Sequence, residues 1–213
     1  MIDVKDLKKS IITIDQQIGG DGEGIAIELA ELLNAPFFGA DDLLSEAARE
    51  SGIEKRVLEK YAETRLLAAY DFTADDYDKI KFPPAGRLIA AKSAAALALA
   101  QNGPCVIAGG HASIAFKDKK NVVRVFVHAD AETRIQSLPE YTDMNPDAAV
   151  EKLMKADLKR TAYYRKLNSE WGTAPFYQLV FDTVGLSHKK SALRIFNFFF
   201  DSDTLAGLQE KSA

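Results

Sequence analysis

Hydrophobic and polar positions follow two rhythms along this chain, one of short apolar runs and one of helical period. Residues 10–15, "SIITID", form an apolar run that predicts a buried strand. From Glu23 to Leu33 the period changes, with Ile25, Leu29, Leu32 and Leu33 at helical spacing. "APFF" at 35–38 predicts a short second strand, and "DDLLSEAARES" a helix that starts behind Asp41 or Asp42 as cap and ends at Gly52. Residues 53–85 mix charges with aromatics and predict a helical lobe, broken by Pro83-Pro84. An alanine-rich helix follows from Gly86 to Gln101, stopped by Asn102-Gly103. "PCVIAGG" predicts a buried strand, and "NVVRVFVHA" another, its β-branched run suiting a parallel sheet covered on both faces. Asp130 predicts the cap of a helix through Gln136, and Pro139 and Pro146 bound a loop. A long helix runs from Pro146 to about Leu167, "FYQLVFDT" is the last strand, and 188–200 the final helix.

Strands alternating with helices predict an α/β doubly wound parallel sheet. At 213 residues the chain suits one domain with a lobe or a helical insertion. A hydrophobic content of 47% is enough for a substantial core. The net charge of −4 gives no basic balance that would suit a nucleic acid polymer. No apolar run approaches the roughly 20 residues of a membrane span. The first residues, "MIDVKDLKKS", are charged and lack the apolar stretch of a signal peptide. The single cysteine, Cys105, cannot form an intrachain disulfide, so a reducing, cytoplasmic location is expected.

Chemistry enters at the glycine cluster between the first strand and the first helix. A phosphate-binding loop has this layout: backbone N–H groups of a Gly-rich turn surround phosphates, a lysine reaches the outer ones, and a Ser/Thr hydroxyl ligates Mg2+. The G-x-x-x-x-G spacing runs from Gly19 to Gly24, with Gly20 and Gly22 inside it. Ile25 and Ala26 then stand where lysine and hydroxyl should follow, and Asp21 and Glu23 are acids within the loop. A dinucleotide fingerprint is the rival reading, with Asp41 and Asp42 near the ribose-binding position, but Ile25 replaces its third small residue. Asp15 ends the first strand at the edge of the sheet where α/β ligands bind, which makes it a candidate substrate contact.

Several pieces together resemble the cytidylate kinase-like family of P-loop nucleoside monophosphate kinases. They are "IITID", "IAIELAELLNAPFF", "LLSEAARESGI", "CVIAGGHA", "NVVRVFVHADAETRI" and "DLKRTAYYRKLNSEWG". The resemblance extends from about Ser10 to Ile195. It implies a P-loop NTPase-like core over 10–52, 86–136 and 173–200, a helical lobe over about 53–85, and a lid over about 138–172. It also implies ATP and Mg2+ as cofactors, a nucleoside monophosphate or similar small acceptor, and backbone amides of 19–24 holding phosphates. Lys159, Arg160 and Arg165 match the lid cations, with Asp157 at the family's acidic position and Arg134 at an arginine before the lid.

The loop departs from the family. Aligned from Ile12, the P-loop lysine falls on Gly22 and its Thr on Gly24. The branch that lacks that lysine carries two arginines, which fall here on Gln16 and Glu23. The arginine expected to contact the acceptor phosphate falls on Gly110, leaving His111 as a pH-dependent substitute. A charge-assisted hydrogen bond contributes about 1.5–3 kcal/mol, so each lost cation is costly. Two functions follow: an ATP-dependent phosphotransferase with unusual loop chemistry, or a catalytically impaired relative that binds a nucleotide or other ligand. A bare scaffold is a third.

Each candidate also has a structural reading. The lid cations can be a solvated helix face, and Arg134 a local cap or ion pair. Asp41 and Asp42 suit capping, His111 a backbone bond, His128 and His188 structural roles, Trp171 packing, and Cys105 an inert core position. One cysteine and three scattered histidines leave no zinc site. In "RIFNFFF", Ile195, Phe196 and Phe199 cover one helix face and leave Phe198 and Phe200 over, for the core or for a homodimer interface.

Overall fold

The computed structural model describes residues 10–60, 85–167 and 169–200. The charged start of the chain, Pro83-Pro84 and most of the lobe expected over 53–85 lie outside these residues. The described elements are β1 (Ile11–Gln16), α1 (Gly22–Leu33), β2 (Phe37–Phe38), α2 (Ala40–Ser51), α3 (Lys55–Lys60) and α4 (Ala85–Leu99). They continue with β3 (Cys105–Ala108), α5 (Gly110–Ala115), β4 (Val122–His128), α6 (Ala131–Gln136) and α7 (Pro139–Thr142). The last are α8 (Pro146–Lys166), β5 (Leu179–Asp182) and α9 (His188–Phe199).

The strands form one parallel sheet in the order β2-β3-β1-β4-β5. The α/β architecture expected from the alternating pattern is therefore the one observed. β1 lies at the centre, with Ile11 opposite Cys105 on one side and Val122 on the other. The chain leaves β1 towards β2 but leaves β3 across β1 towards β4. The loops after β1 and β3 thus part to opposite faces, and a crevice opens between them, as at other switch points of α/β sheets. β1 also runs past its pairing with β3, which ends at Ile14↔Ala108, to Gln16↔Val127 on β4.

Strand alternation divides the core. Ile12 and Ile14 pack with Val123, Val125 and Val127 against Ile25 and Leu29 of α1 and Ile195 and Phe196 of α9. Thr13 faces the other side, where its hydroxyl shares a 2.8 Å hydrogen bond with Ser113 of α5. There Leu88, Ala91 and Ala95 of α4 pack with Phe126, Tyr163, Tyr164 and Trp171. The helix starts show how local sequence fixes the elements. Asp130, Asn145 and Ser187 each cap the helix that follows with a side-chain oxygen.

Three expectations need correction. The cap of α2 is Gly39, neither Asp41 nor Asp42; Asp42 sits inside the first turn, and its Oδ2 accepts the Gly39 N–H at 2.8 Å. Residues after Gly109 form the short helix α5, and Pro139 begins the short helix α7 within what reads as a loop. Of the two phenylalanines left over from the α9 face, Phe200 packs in the core, its ring stacked on Phe196 with centroids 4.6 Å apart, while Phe198 is 63% exposed.

Candidate functional site

The crevice between the loops after β1 and β3 is a cleft of about 650 Å3. Apolar side chains of Ile14, Leu43, Leu44 and Trp171 line it, together with the charged groups of Glu23, Glu59, Lys92 and Arg160. Gly19, Gly109 and His111 contribute from the two loops.

The loop after β1 is held from several sides. Gly19 has φ 75°, and a Cβ there would lie 2.5 Å from the Arg134 carbonyl oxygen, so glycine is required both for the turn and for the approach. The Ser137 hydroxyl donates to the Gly19 carbonyl at 2.6 Å. Arg134 is buried; its Nη1 donates to Asp157 Oδ2 at 2.6 Å and to the Ile18 carbonyl at 3.3 Å. Asp157 Oδ1 in turn accepts the Ile18 N–H at 3.4 Å. Arg134, a candidate catalytic cation, thus stands in an ion pair that ties the loop to α8.

The head of α1 carries none of the side chains a P-loop uses. Gly22 N–H donates to Oε1 of Gln16, whose side chain curls back into the loop. The ring of His188, at the start of α9, lies over Gly24; a Cβ on Gly24 would come within 2.5 Å of His188 Cε1. Nε2 of His188 meets Asp21 Oδ2 at 2.5 Å. Asp21 itself is left-handed, φ 53°, and gives α1 no side-chain cap. Glu23 lines the cleft, and Gly20 N–H is taken by the Gln17 carbonyl at 2.9 Å.

The remaining candidates scatter. Arg160 reaches the cleft: its Nη1 donates to the Gln16 carbonyl at 3.3 Å, and its guanidinium lies 5.6 Å from the Trp171 ring. Lys159 and Arg165, on other faces of α8, are exposed and do not line the cleft. Gly110 begins α5 where the family has an arginine. The adjacent His111 is buried on the cleft wall, its Nε2 2.6 Å from the Tyr163 hydroxyl. Asp15 is buried and does not line the cleft; its Oδ2 accepts the Tyr177 hydroxyl at 2.5 Å. Burial and the neighbouring Asp15 carboxylate push the Tyr177 phenol far above its ordinary range, so it stays a donor. Asp41 is exposed and pairs with Lys55 Nζ at 2.5 Å.

The sequence reading missed Lys92. It is buried on the cleft, on the α4 face that carries Leu88, Ala91, Ala95 and Ala96. The signal was in the pattern: a lysine at a core position of an alanine-rich helix is anomalous unless its charge is used.

A five-stranded parallel sheet with a glycine loop after its central strand and a cleft at the switch point has the architecture of the P-loop kinases. The model of the cytidylate kinase-like family matches residues 11–184, and the chain belongs to that family. No curated protein matches it significantly. Among solved structures, an uncharacterized protein from Eubacterium ventriosum is similar, with 21% identity, 90% of this chain and 98% of that chain covered, and a TM-score of 0.62. A shikimate kinase from Bacteroides thetaiotaomicron is similar at 14% identity, with 89% and 97% covered and a TM-score of 0.55. Both likenesses establish the fold. Among the described residues no helix is long and apolar enough to cross a membrane, and no cluster of His, Cys, Asp and Glu could hold a metal ion. The family implies a nucleotide and Mg2+. In this chain Gly22 brings no cation and Gly24 no hydroxyl, and His188 fills the space where one would stand.

Proposed function

We propose that this chain uses the kinase scaffold to bind a small-molecule ligand in the cleft, as a binding or regulatory protein, without moving a γ-phosphoryl group from ATP. The observation that carries this reading is His188 over Gly24. Phosphoryl transfer is positioning plus neutralisation of charge, and a cation acting in the transition state is worth about a thousandfold or more in rate. The head of α1 supplies neither cation nor hydroxyl, and Asp21 and Glu23 add negative charge beside it. The cleft itself is suited to a ligand with an apolar body and few charges: Trp171, Leu43 and Leu44 offer surface, Lys92 and Arg160 an anion contact. The expected small-molecule partner, a nucleotide or similar compound, and the expected cytoplasmic setting belong to this proposal.

The second reading is an ATP-dependent phosphotransferase acting on a nucleoside monophosphate or another hydroxyl or phosphate acceptor. Lys92 and Arg160 favour it, because both bring positive charge to the cleft from outside the loop. Calorimetric titration with ATP, with and without Mg2+, followed by a transfer assay across monophosphate and hydroxyl acceptors, separates the two. The binding-protein reading expects no Mg2+-dependent ATP binding in the micromolar range and no phosphorylated product. Turnover with any acceptor would overturn it in favour of the enzyme.

A further inference from the structure

We propose that the side chain of Gln16 is a built-in occupant of the phosphate cradle, and that it sets the selectivity of the cleft against polyphosphates. The inference rests on the binding-protein reading above and names the residue that enforces it.

Gln16 is the last residue of β1, at the entrance to the glycine loop. Its carbonyl Oε1 accepts the N–H of Gly22, the first residue of α1. A Cβ on Gly22 would lie 2.8 Å from that oxygen and 3.1 Å from Gln16 Cβ, and a Cβ on Gly20 would lie 3.4 Å from Gln16 Cβ. The side chain therefore lies against the loop at Gly22, with its Cβ near Gly20. The N-terminal amides of a helix carry partial positive charge and are the natural seat of a phosphate oxygen. Here a neutral amide oxygen of the same chain holds one of them. Gln16 lines the cleft, and with Oε1 committed to Gly22 its remaining side-chain polar group is a neutral –NH2 donor, which brings no charge to a chain of phosphates.

The backbone of the same residue is held as well. Arg160, the α8 cation that reaches the cleft, donates to the Gln16 carbonyl. Asp157 and Arg134 fix Ile18 two residues on. Gln16 is thus gripped at both ends, and a polyphosphate must break the Gly22 bond before it can enter the loop.

The test titrates inorganic tripolyphosphate into the full chain and into Gln16→Ala, Gln16→Asn and Gln16→Glu. Removing or shortening the amide should raise tripolyphosphate affinity by about tenfold or more, the scale of one amide donor returned to an anion. Gln16→Glu, which keeps the shape and accepts more strongly, should show no gain. Amide hydrogen exchange of the unmodified chain adds a readout independent of any variant's folding: the Gly22 N–H should be protected without ligand. An unprotected Gly22 N–H, or folded Ala and Asn variants with no gain, would overturn the occupant proposal and leave the binding-protein reading standing. Micromolar tripolyphosphate binding by the unmodified chain would likewise overturn the occupant proposal, whereas the binding-protein reading falls to turnover in the transfer assay.

Discussion

Asp157→Asn removes one charge from the pair that ties α8 to the glycine loop, and its cost follows from the burial of both partners. The Arg134 and Asp157 side chains are 7% and 19% exposed, with Nη1 and Oδ2 2.6 Å apart. Breaking a buried pair by removing one member costs about 3–5 kcal/mol, because the other charge stays desolvated without its counter-ion. Asp157 keeps some contact with water, and Arg134 keeps the Ile18 carbonyl at 3.3 Å, which places the expected loss near the lower end, about 3 kcal/mol. For a chain of this length each kcal/mol moves the melting midpoint by about 2–4 °C, so a fall of about 6–12 °C is expected. Urea unfolding should show the loss as a lower midpoint at unchanged slope. The double substitution Arg134→Met with Asp157→Leu should recover most of it, since an apolar pair of similar volume carries no buried charge. A loss below about 1 kcal/mol for Asp157→Asn, the value of an exposed pair, would refute this account of the loop's anchorage.

Gly24→Ala should be stabilising by about 0.5–1 kcal/mol in a His188→Ala background, the ordinary helix gain over glycine, and much less so with His188 present. A double-mutant cycle by chemical denaturation that found the two changes additive would show that His188 does not occupy the space over Gly24. Tyr177→Phe should cost about 1–3 kcal/mol in urea unfolding, because the buried Asp15 carboxylate loses its hydroxyl donor; an unchanged midpoint would remove that bond from the account. Burial raises the Cys105 thiol from 9.0 to about 11, so it should resist alkylation at pH 8 in the folded chain and react on unfolding. The folded state then holds this proton more tightly than the unfolded state. The group should therefore leave stability unchanged below about pH 9 and lower it as pH rises towards 11.

Most of the fold was legible because its signals are local. "IITID" and "NVVRVFVHA" are too apolar and β-branched to be anything but covered strands, and Asp130 caps its helix as its position implies. The cap of α2 was misread because glycine gives no side-chain signal, and Asp42 reaches its target backwards from inside the turn. The site was legible only in part. The losses at Gln16, Glu23 and Gly110 stand out in an alignment of motifs. What replaces them comes from remote segments: His188 reaches Asp21 across 167 positions and Arg160 reaches Gln16 across 144. Spacing along the chain carries no trace of such contacts. Arg134 and Asp157 show the converse, since residues that fit a catalytic role by motif are partnered with each other in space.

The strand order has a consequence for how the chain folds. Among the described residues β1 hydrogen-bonds to β3 and β4, and β2 to β3, so neither early strand pairs with a described strand that precedes Cys105. During synthesis the described strands of the first half, β1 and β2, therefore cannot pair with each other, while the helices around them can form. The central strand and its glycine loop must wait for the Ile11–Cys105 and Ile11–Val122 pairings. Closing such long loops before any contact rewards them is slow. In that interval the apolar run of β1 is an unpaired strand edge, and a nascent chain halted before β3 would be prone to aggregate.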